Sequence, residues 1–141
     1  MKGLGMRIFL AALTLVAATP LAAAEPVTGS WVTAARDGVV RIGTCGTATC
    51  GWLARFLVVS PQGADQRDVH NPDAKLRTRK VLGLPILTGF HEDGAVWRGT
   101  IYDPKAGKSY RSVIRRLDAG RLEVKGCVGP FCQTQIWRKS S

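Results

Sequence analysis

AVWRGTIYDPKAGKSYRSVIRRLDAGRLEVKG, residues 95–126, decides the fold. Three runs, Ala95–Asp103, Lys108–Leu117 and Arg121–Gly126, are separated by Lys105-Ala106-Gly107 and Asp118-Ala119-Gly120. Short glycine-ended turns between alternating runs signal antiparallel hairpins. In Arg121-Leu122-Glu123-Val124-Lys125 the alternation puts Leu122 and Val124 on a buried face and three charges in water. By the same period of two, Trp97, Gly99 and Ile101 share an inward face, while Val96, Arg98, Thr100 and Tyr102 face out. Tyr102 and Tyr110 are accordingly expected outside or at a rim. At the first turn Asp103 is expected to bond back onto the backbone, with Gly107 supplying a positive φ.

Outward from this stretch the pattern repeats. Further strands are predicted at Thr28–Thr33, Gly38–Thr44, Cys50–Val59, Ile86–His91 and Cys132–Lys139, with turns at Arg36-Asp37-Gly38 and Glu92-Asp93-Gly94. Eight strands joined mainly by tight turns predict an all-β, eight-stranded antiparallel up-and-down barrel. Such a barrel is filled by side chains or holds one small ligand. A two-sheet sandwich would use the same strands with longer crossovers. Only one connection, about 60–85, is long, and this favours the barrel.

The chain opens with Lys2 and Arg7, an apolar run IFLAALTLVAA (8–18), and Ala22-Ala23-Ala24. That is the charged start, short apolar stretch and small-residue cleavage site of a secretory signal peptide, with cleavage expected after Ala24. The apolar run is shorter than the ~20 residues that span a bilayer. One domain, 25–141, is expected to remain. Without Lys2 and Arg7, 18 lysines and arginines stand against 10 acidic residues, a net charge of +8. An exported basic protein meets anionic envelope lipids or polymers rather than nucleic acid, although a basic surface also serves solubility alone.

The four cysteines form two copies of one spacing, Cys45-GTAT-Cys50 and Cys127-VGPF-Cys132. Export with an even count favours disulfides, and four cysteines allow three connectivities. Local pairs Cys45–Cys50 and Cys127–Cys132, each closing a hairpin, are the simplest. A structural zinc site would need four converging thiolates at a loose spacing.

Several ordered motifs carry a family resemblance. TGSW (28–31), CG with CGW (45–52), D-x-x-NPD-x-x-LR (68–77), LG-x-x-IL-x-GF (82–90), W-x-G-x-IYDP-x-x-GKSY (97–110), and KGC followed by TQIWR (125–138) together resemble the DUF2147 family of small exported bacterial proteins. The resemblance implies a lipocalin-like (calycin) barrel with a cavity for a hydrophobic ligand, and brings no established substrate. Gly29-Ser30-Trp31 is similar to the G-x-W that opens a lipocalin barrel. Arg138 resembles the arginine that packs over that tryptophan, a favourable cation–π contact. Alternatively Trp31 is plain core and Arg138 plain surface.

Candidate chemistry concentrates in the long connection, which contains Asp68, His70, Asn71-Pro72-Asp73 and Arg77. Loops of this length are commonly lids or binding loops. Asn71-Pro72-Asp73 reads as a turn, with Asn71 or Asp73 capping a short helix through Leu76–Arg79. Two roles are open. Asp68 and Asn71 pin a loop across the barrel mouth, or Asp68, Asn71 and Arg77 line the mouth and hold a ligand's polar head, with Trp97, Tyr102 and Tyr110 as further ligand-binding candidates.

Other chemistries fit less well. The spacing of Asp68, His70, Asn71 and Asp73 is not that of a calcium loop, and His70 and His91 lack zinc-binding partners in sequence. Gly107-Lys108-Ser109 mimics a phosphate loop, but Tyr102 stands where its first glycine is required. No serine has a nucleophile setting, and a hydrolase built on loop residues such as Asp68 is the weakest of three functions. The leading expectation is non-catalytic binding of a small hydrophobic or amphipathic molecule in the periplasm or outside the cell, with no cofactor and no metal. The alternative is an envelope interaction module with a filled interior, using the basic stripe Arg111, Arg115, Arg116 and Arg121. Oligomeric state stays open.

Overall fold

The computed structural model describes residues 14–141, so the charged start and much of the apolar run of the expected signal peptide lie outside the described residues. Eight strands follow in order: β1 (Gly29–Val32), β2 (Gly38–Cys45), β3 (Ala48–Phe56), β4 (Pro85–Asp93), β5 (Val96–Asp103), β6 (Lys108–Arg116), β7 (Arg121–Val128) and β8 (Phe131–Lys139). Each pairs antiparallel with the next. β8 closes on β1 through Trp31 opposite Lys139 and Val32 opposite Arg138, making a closed barrel. The expected up-and-down topology is therefore present, and the sandwich is not.

Inward alternation builds the core. Leu122 and Val124 of β7 are buried, as are Val40 and Ile42 of β2 and Ile114 of β6. Burial of each such side chain contributes about 1.5–3 kcal/mol. Phe90 of β4 lies directly on Gly99 of β5, where a Cβ would stand 2.5 Å from the ring. Glycine at 99 is what lets the ring cover that strand.

Up-and-down order sends the β2–β3, β4–β5 and β6–β7 turns to one end and the other four connections to the opposite end. The first end is plugged by the N-terminal segment. Trp31 Nε1 donates to the Val27 carbonyl (2.9 Å), Arg116 donates to that of Pro26 (2.9 Å), and Trp97 Nε1 to that of Glu25 (2.9 Å). Trp31 is fully buried under two cations, Arg116 at 5.5 Å and Lys139 at 4.9 Å from the ring. The expectation that Arg138 covers Trp31 is corrected. Trp137 faces inward on β8, so Arg138 faces solvent and its neighbour Lys139 turns to the indole.

Both local disulfides are present: Cys45–Cys50 spans the β2–β3 turn and Cys127–Cys132 the β7–β8 turn. Strand boundaries fall within one or two residues of expectation except at the end of β3. β3 ends at Phe56, and Leu57, Val58 and Val59 are exposed in the connection that follows. Their branched, apolar character reads as strand, but they have no partner beyond a bond from the Leu57 amide to the Asp37 carbonyl (2.8 Å).

A candidate ligand cavity at the open end

The end formed by the β1–β2, β3–β4, β5–β6 and β7–β8 connections opens into a cavity of about 1040 Å3. The barrel interior is thus open at this end, beyond the packed side chains of Trp31, Ile114, Leu122 and Trp137. Apolar walls come from Val40, Leu53, Val81, Ile86, Ile101 and Val124. Neutral polar groups sit among them: Tyr110 on β6, opposite Ile101, and Gln133 and Gln135 on β8. Gln133 faces Gly126 across the ladder, which leaves space where another side chain would stand. Trp137 Nε1 donates to Gln135 Oε1 (3.2 Å). Ser112, on the same face of β6 as Tyr110 and Ile114, is buried with its hydroxyl lacking a protein partner.

Charged groups are confined to the mouth, where Asp37, Asp65, Arg67, Asp103 and Lys105 border the opening beside His70. Lys105 makes an ion pair with Asp37, and Thr33 Oγ1 donates to the same carboxylate (2.6 Å). The β1–β2 and β5–β6 turns are four strands apart in a ring of eight, so this pair bars the mouth across its diameter. Partial burial opposes the Asp37 charge, but the Lys105 and Thr33 hydrogen bonds and the ammonium outweigh it and hold the carboxyl below the usual carboxylate range. As expected, Asp103 accepts from the Lys105 amide (2.9 Å) and Gly107 has φ +65°.

The long connection is held by a second, buried network. Asp68, with no solvent exposure, accepts from the Tyr102 hydroxyl (2.6 Å), Asn71 Nδ2 (2.9 Å) and Arg79 Nε (2.9 Å). Arg79 also lies 5.6 Å from the centre of the Tyr102 ring. Burial works against ionisation of Asp68, yet these three donors and the guanidinium charge depress its pKa. Burial, with the bond to Asp68 and its charge, raises that of Tyr102.

Local turn chemistry fixes the rest of the connection. Asn71 Oδ1 accepts from the Asp73 amide (2.9 Å), and the Asp73 side chain accepts from the Lys75 amide (3.0 Å). This cap opens a single 3-10 turn, Ala74–Leu76, rather than a helix reaching Arg79. Against the β5–β6 turn the packing is so close that a Cβ on Gly107 would fall 1.8 Å from the His70 carbonyl oxygen.

Of the six ligand-binding candidates, Tyr102 and Tyr110 border the cavity. Tyr110 is corrected from outer to inward, because its register opposite Ile101 puts it on the interior face. Asp68 and Asn71 are turned into their own network instead of the cavity, and Arg77 Nε donates to the Asn71 carbonyl (2.8 Å). These three pin the connection and do not form a head-group clamp. Trp97 serves the plugged end.

The basic stripe is also largely engaged. Arg111 bonds the Gly129 carbonyl, Arg115 pairs with Glu123, Arg116 holds Pro26 and Arg121 pairs with Asp118. Sequence reasoning missed Gln133 and Gln135, although alternation in Gln133-Thr134-Gln135-Ile136-Trp137 places all three odd positions on one face.

Among solved structures, a similar fold occurs in a protein described as "Protein HP1028 from the human pathogen Helicobacter pylori belongs to the lipocalin family", with TM-score 0.70 and 20% identity, covering 82% of this chain and 84% of that one. At that identity the likeness establishes the lipocalin-like fold. No curated protein sequence matches the chain. The model of an uncharacterised protein family conserved in bacteria matches residues 29–139, and the chain belongs to that family, DUF2147.

Proposed function

We propose that this protein is exported and, without catalysis, binds or carries a small hydrophobic or amphipathic molecule in the bacterial envelope. The observation that carries this is the open cavity of about 1040 Å3 with apolar walls and the neutral groups of Tyr110, Gln133 and Gln135 inside. Ligand sites combine such walls with a few polar anchors and run to about 300–1,000 Å3. A lipocalin-like barrel supports small-molecule binding as a class. Two disulfides and a bacterial family are consistent with an oxidising compartment outside the cytoplasm. Confinement of charge to the mouth favours a ligand whose apolar body enters first and whose polar end stays near Asp37 and Lys105.

The test is a fluorescence titration with an environment-sensitive fatty-acid probe against the wild type and Gln133→Trp. Gln133 is exposed within the cavity, so a tryptophan there fills space without displacing core. Saturable one-to-one binding that the substitution abolishes is expected. Binding unchanged by Gln133→Trp, or none by the wild type to any apolar probe, would refute the proposal.

A further inference from the structure

Apart from the N-terminal segment, large apolar side chains left in water gather at the open end. Leu57, Val58, Val59, Val69, Leu76, Val128 and Phe131 are all exposed in or beside its connections. Four of them border the cavity itself: Val58 and Val69 at 58% and 57% exposure, Val128 and Phe131 at 66% and 80%. The first two belong to the β3–β4 connection and the other two flank the β7–β8 turn. The Leu57 amide ties the start of the long connection to the β1–β2 turn and His70 packs on Gly107 of the β5–β6 turn, so Val58 and Val69 edge the opening from the long connection and Val128 and Phe131 edge it from the β7–β8 turn, as two apolar lips. The Asp37–Lys105 pair crosses between the other two turns. Solvent-exposed apolar groups concentrated in this way mark a contact surface.

We propose that the open end docks on an anionic lipid bilayer, with both lips in the headgroup region and the cavity facing the acyl chains. This deepens the ligand-binding proposal, since it names the membrane as the source or destination of the cargo, but the lips exist whether or not the cavity is loaded. Both lips are matched together by an apolar surface as broad as the barrel. Charge selects the kind of surface. Asp65 is matched by both Arg67 and Lys80, Asp37 by Lys105, and Arg111 is held at the β7–β8 turn by the Gly129 carbonyl. The four connections at this end together carry seven lysines and arginines (Arg36, Arg67, Lys75, Arg77, Arg79, Lys80 and Lys105) against four aspartates (Asp37, Asp65, Asp68 and Asp73), a positive balance on a chain whose net charge without Lys2 and Arg7 is +8. A second copy docking mouth to mouth would bring like charges together, whereas anionic headgroups complement them. The closed barrel also leaves no sheet edge on which a peptide strand could add.

Co-sedimentation with vesicles tests this. The protein is mixed at low salt with vesicles of equal phosphatidylglycerol and phosphatidylcholine, and with vesicles of phosphatidylcholine alone. Wild type is expected to sediment with the first far more than with the second. Val128→Asp with Phe131→Asp, and separately Val58→Asp with Val69→Asp, should each weaken partitioning by about tenfold or more. All four side chains are exposed, and an unchanged melting temperature verifies folding. Gln133→Trp, which fills the cavity, should bind vesicles as wild type does.

No wild-type binding overturns the proposal. Binding that neither lip variant weakens also overturns it, since contact would then run through the basic flank. So does a wild-type dimer that Phe131→Asp dissociates, because the lips would then cover one another. Vesicle binding without probe binding sinks the carrier proposal alone, and probe binding without vesicle binding sinks the docking alone.

Discussion

Tyr102→Phe removes one oxygen and isolates the energy of the network that pins the long connection. The lost hydroxyl donates to Asp68 Oδ1 at 2.6 Å and accepts from Asn71 Nδ2 at 3.1 Å. A hydrogen bond to a charged group contributes about 1.5–3 kcal/mol, and Asp68 keeps its bonds from Asn71 and Arg79, so a loss of about 2 kcal/mol is expected at neutral pH. For a domain of this size that lowers the melting temperature by about 8 °C.

The pH dependence follows from the two shifted groups. Asp68 is depressed in the fold, so its contribution is complete above the ordinary unfolded carboxylate pKa and fades as pH falls through the lower folded value. Tyr102 is raised, so its contribution is complete below the unfolded tyrosine pKa and is lost as pH climbs through the higher folded one. Thermal unfolding by circular dichroism from acid to alkaline pH should show the gap between wild type and Tyr102→Phe narrowing at both extremes. A loss under about 0.5 kcal/mol at neutral pH, or a gap indifferent to pH, would refute an energetic role for this network.

Gly107→Ala should destabilise by at least about 2 kcal/mol, seen as a large drop in the urea midpoint, because a Cβ there collides with backbone at His70 and the residue sits at φ +65°. Asp37→Asn weakens the bar across the mouth. Lys105 is 72% exposed, so stability should change by less than about 1 kcal/mol while the release rate of a bound probe, followed by stopped flow, increases. Reduction of the two disulfides, each five residues in span, should cost about 2 kcal/mol per bridge and appear as a lower denaturation midpoint in reducing buffer.

The framework was legible because strand signals are local. Asp-Gly and Ala-Gly turns and the Leu122/Val124 alternation specify hairpins without knowledge of neighbours, and both cysteine pairs flank such turns. What depended on register was less legible. Whether Arg138 or Lys139 reaches Trp31 turns on a shift of one residue along β8. Tyr110 could be placed inward only by knowing that it pairs with Ile101.

The long connection gave up its turn chemistry, because Asn71 and Asp73 bond their own backbone. It concealed that Asp68 points at Tyr102, 34 residues away. Cavity polarity was hidden for a further reason. Glutamine on a strand reads as solvent-facing, and only the closed ring of eight strands puts Gln133 and Gln135 inside.

Native mass spectrometry of the protein produced in its own host and isolated gently addresses carriage most directly. Two bridges set the polypeptide mass four hydrogens below that of the reduced chain. A discrete additional mass that departs on denaturation, and is missing from Gln133→Trp prepared in the same way, is the result expected of a loaded cavity. The bare oxidised mass from wild type, with no lipophilic probe taken up when the sample is then titrated, would contradict it.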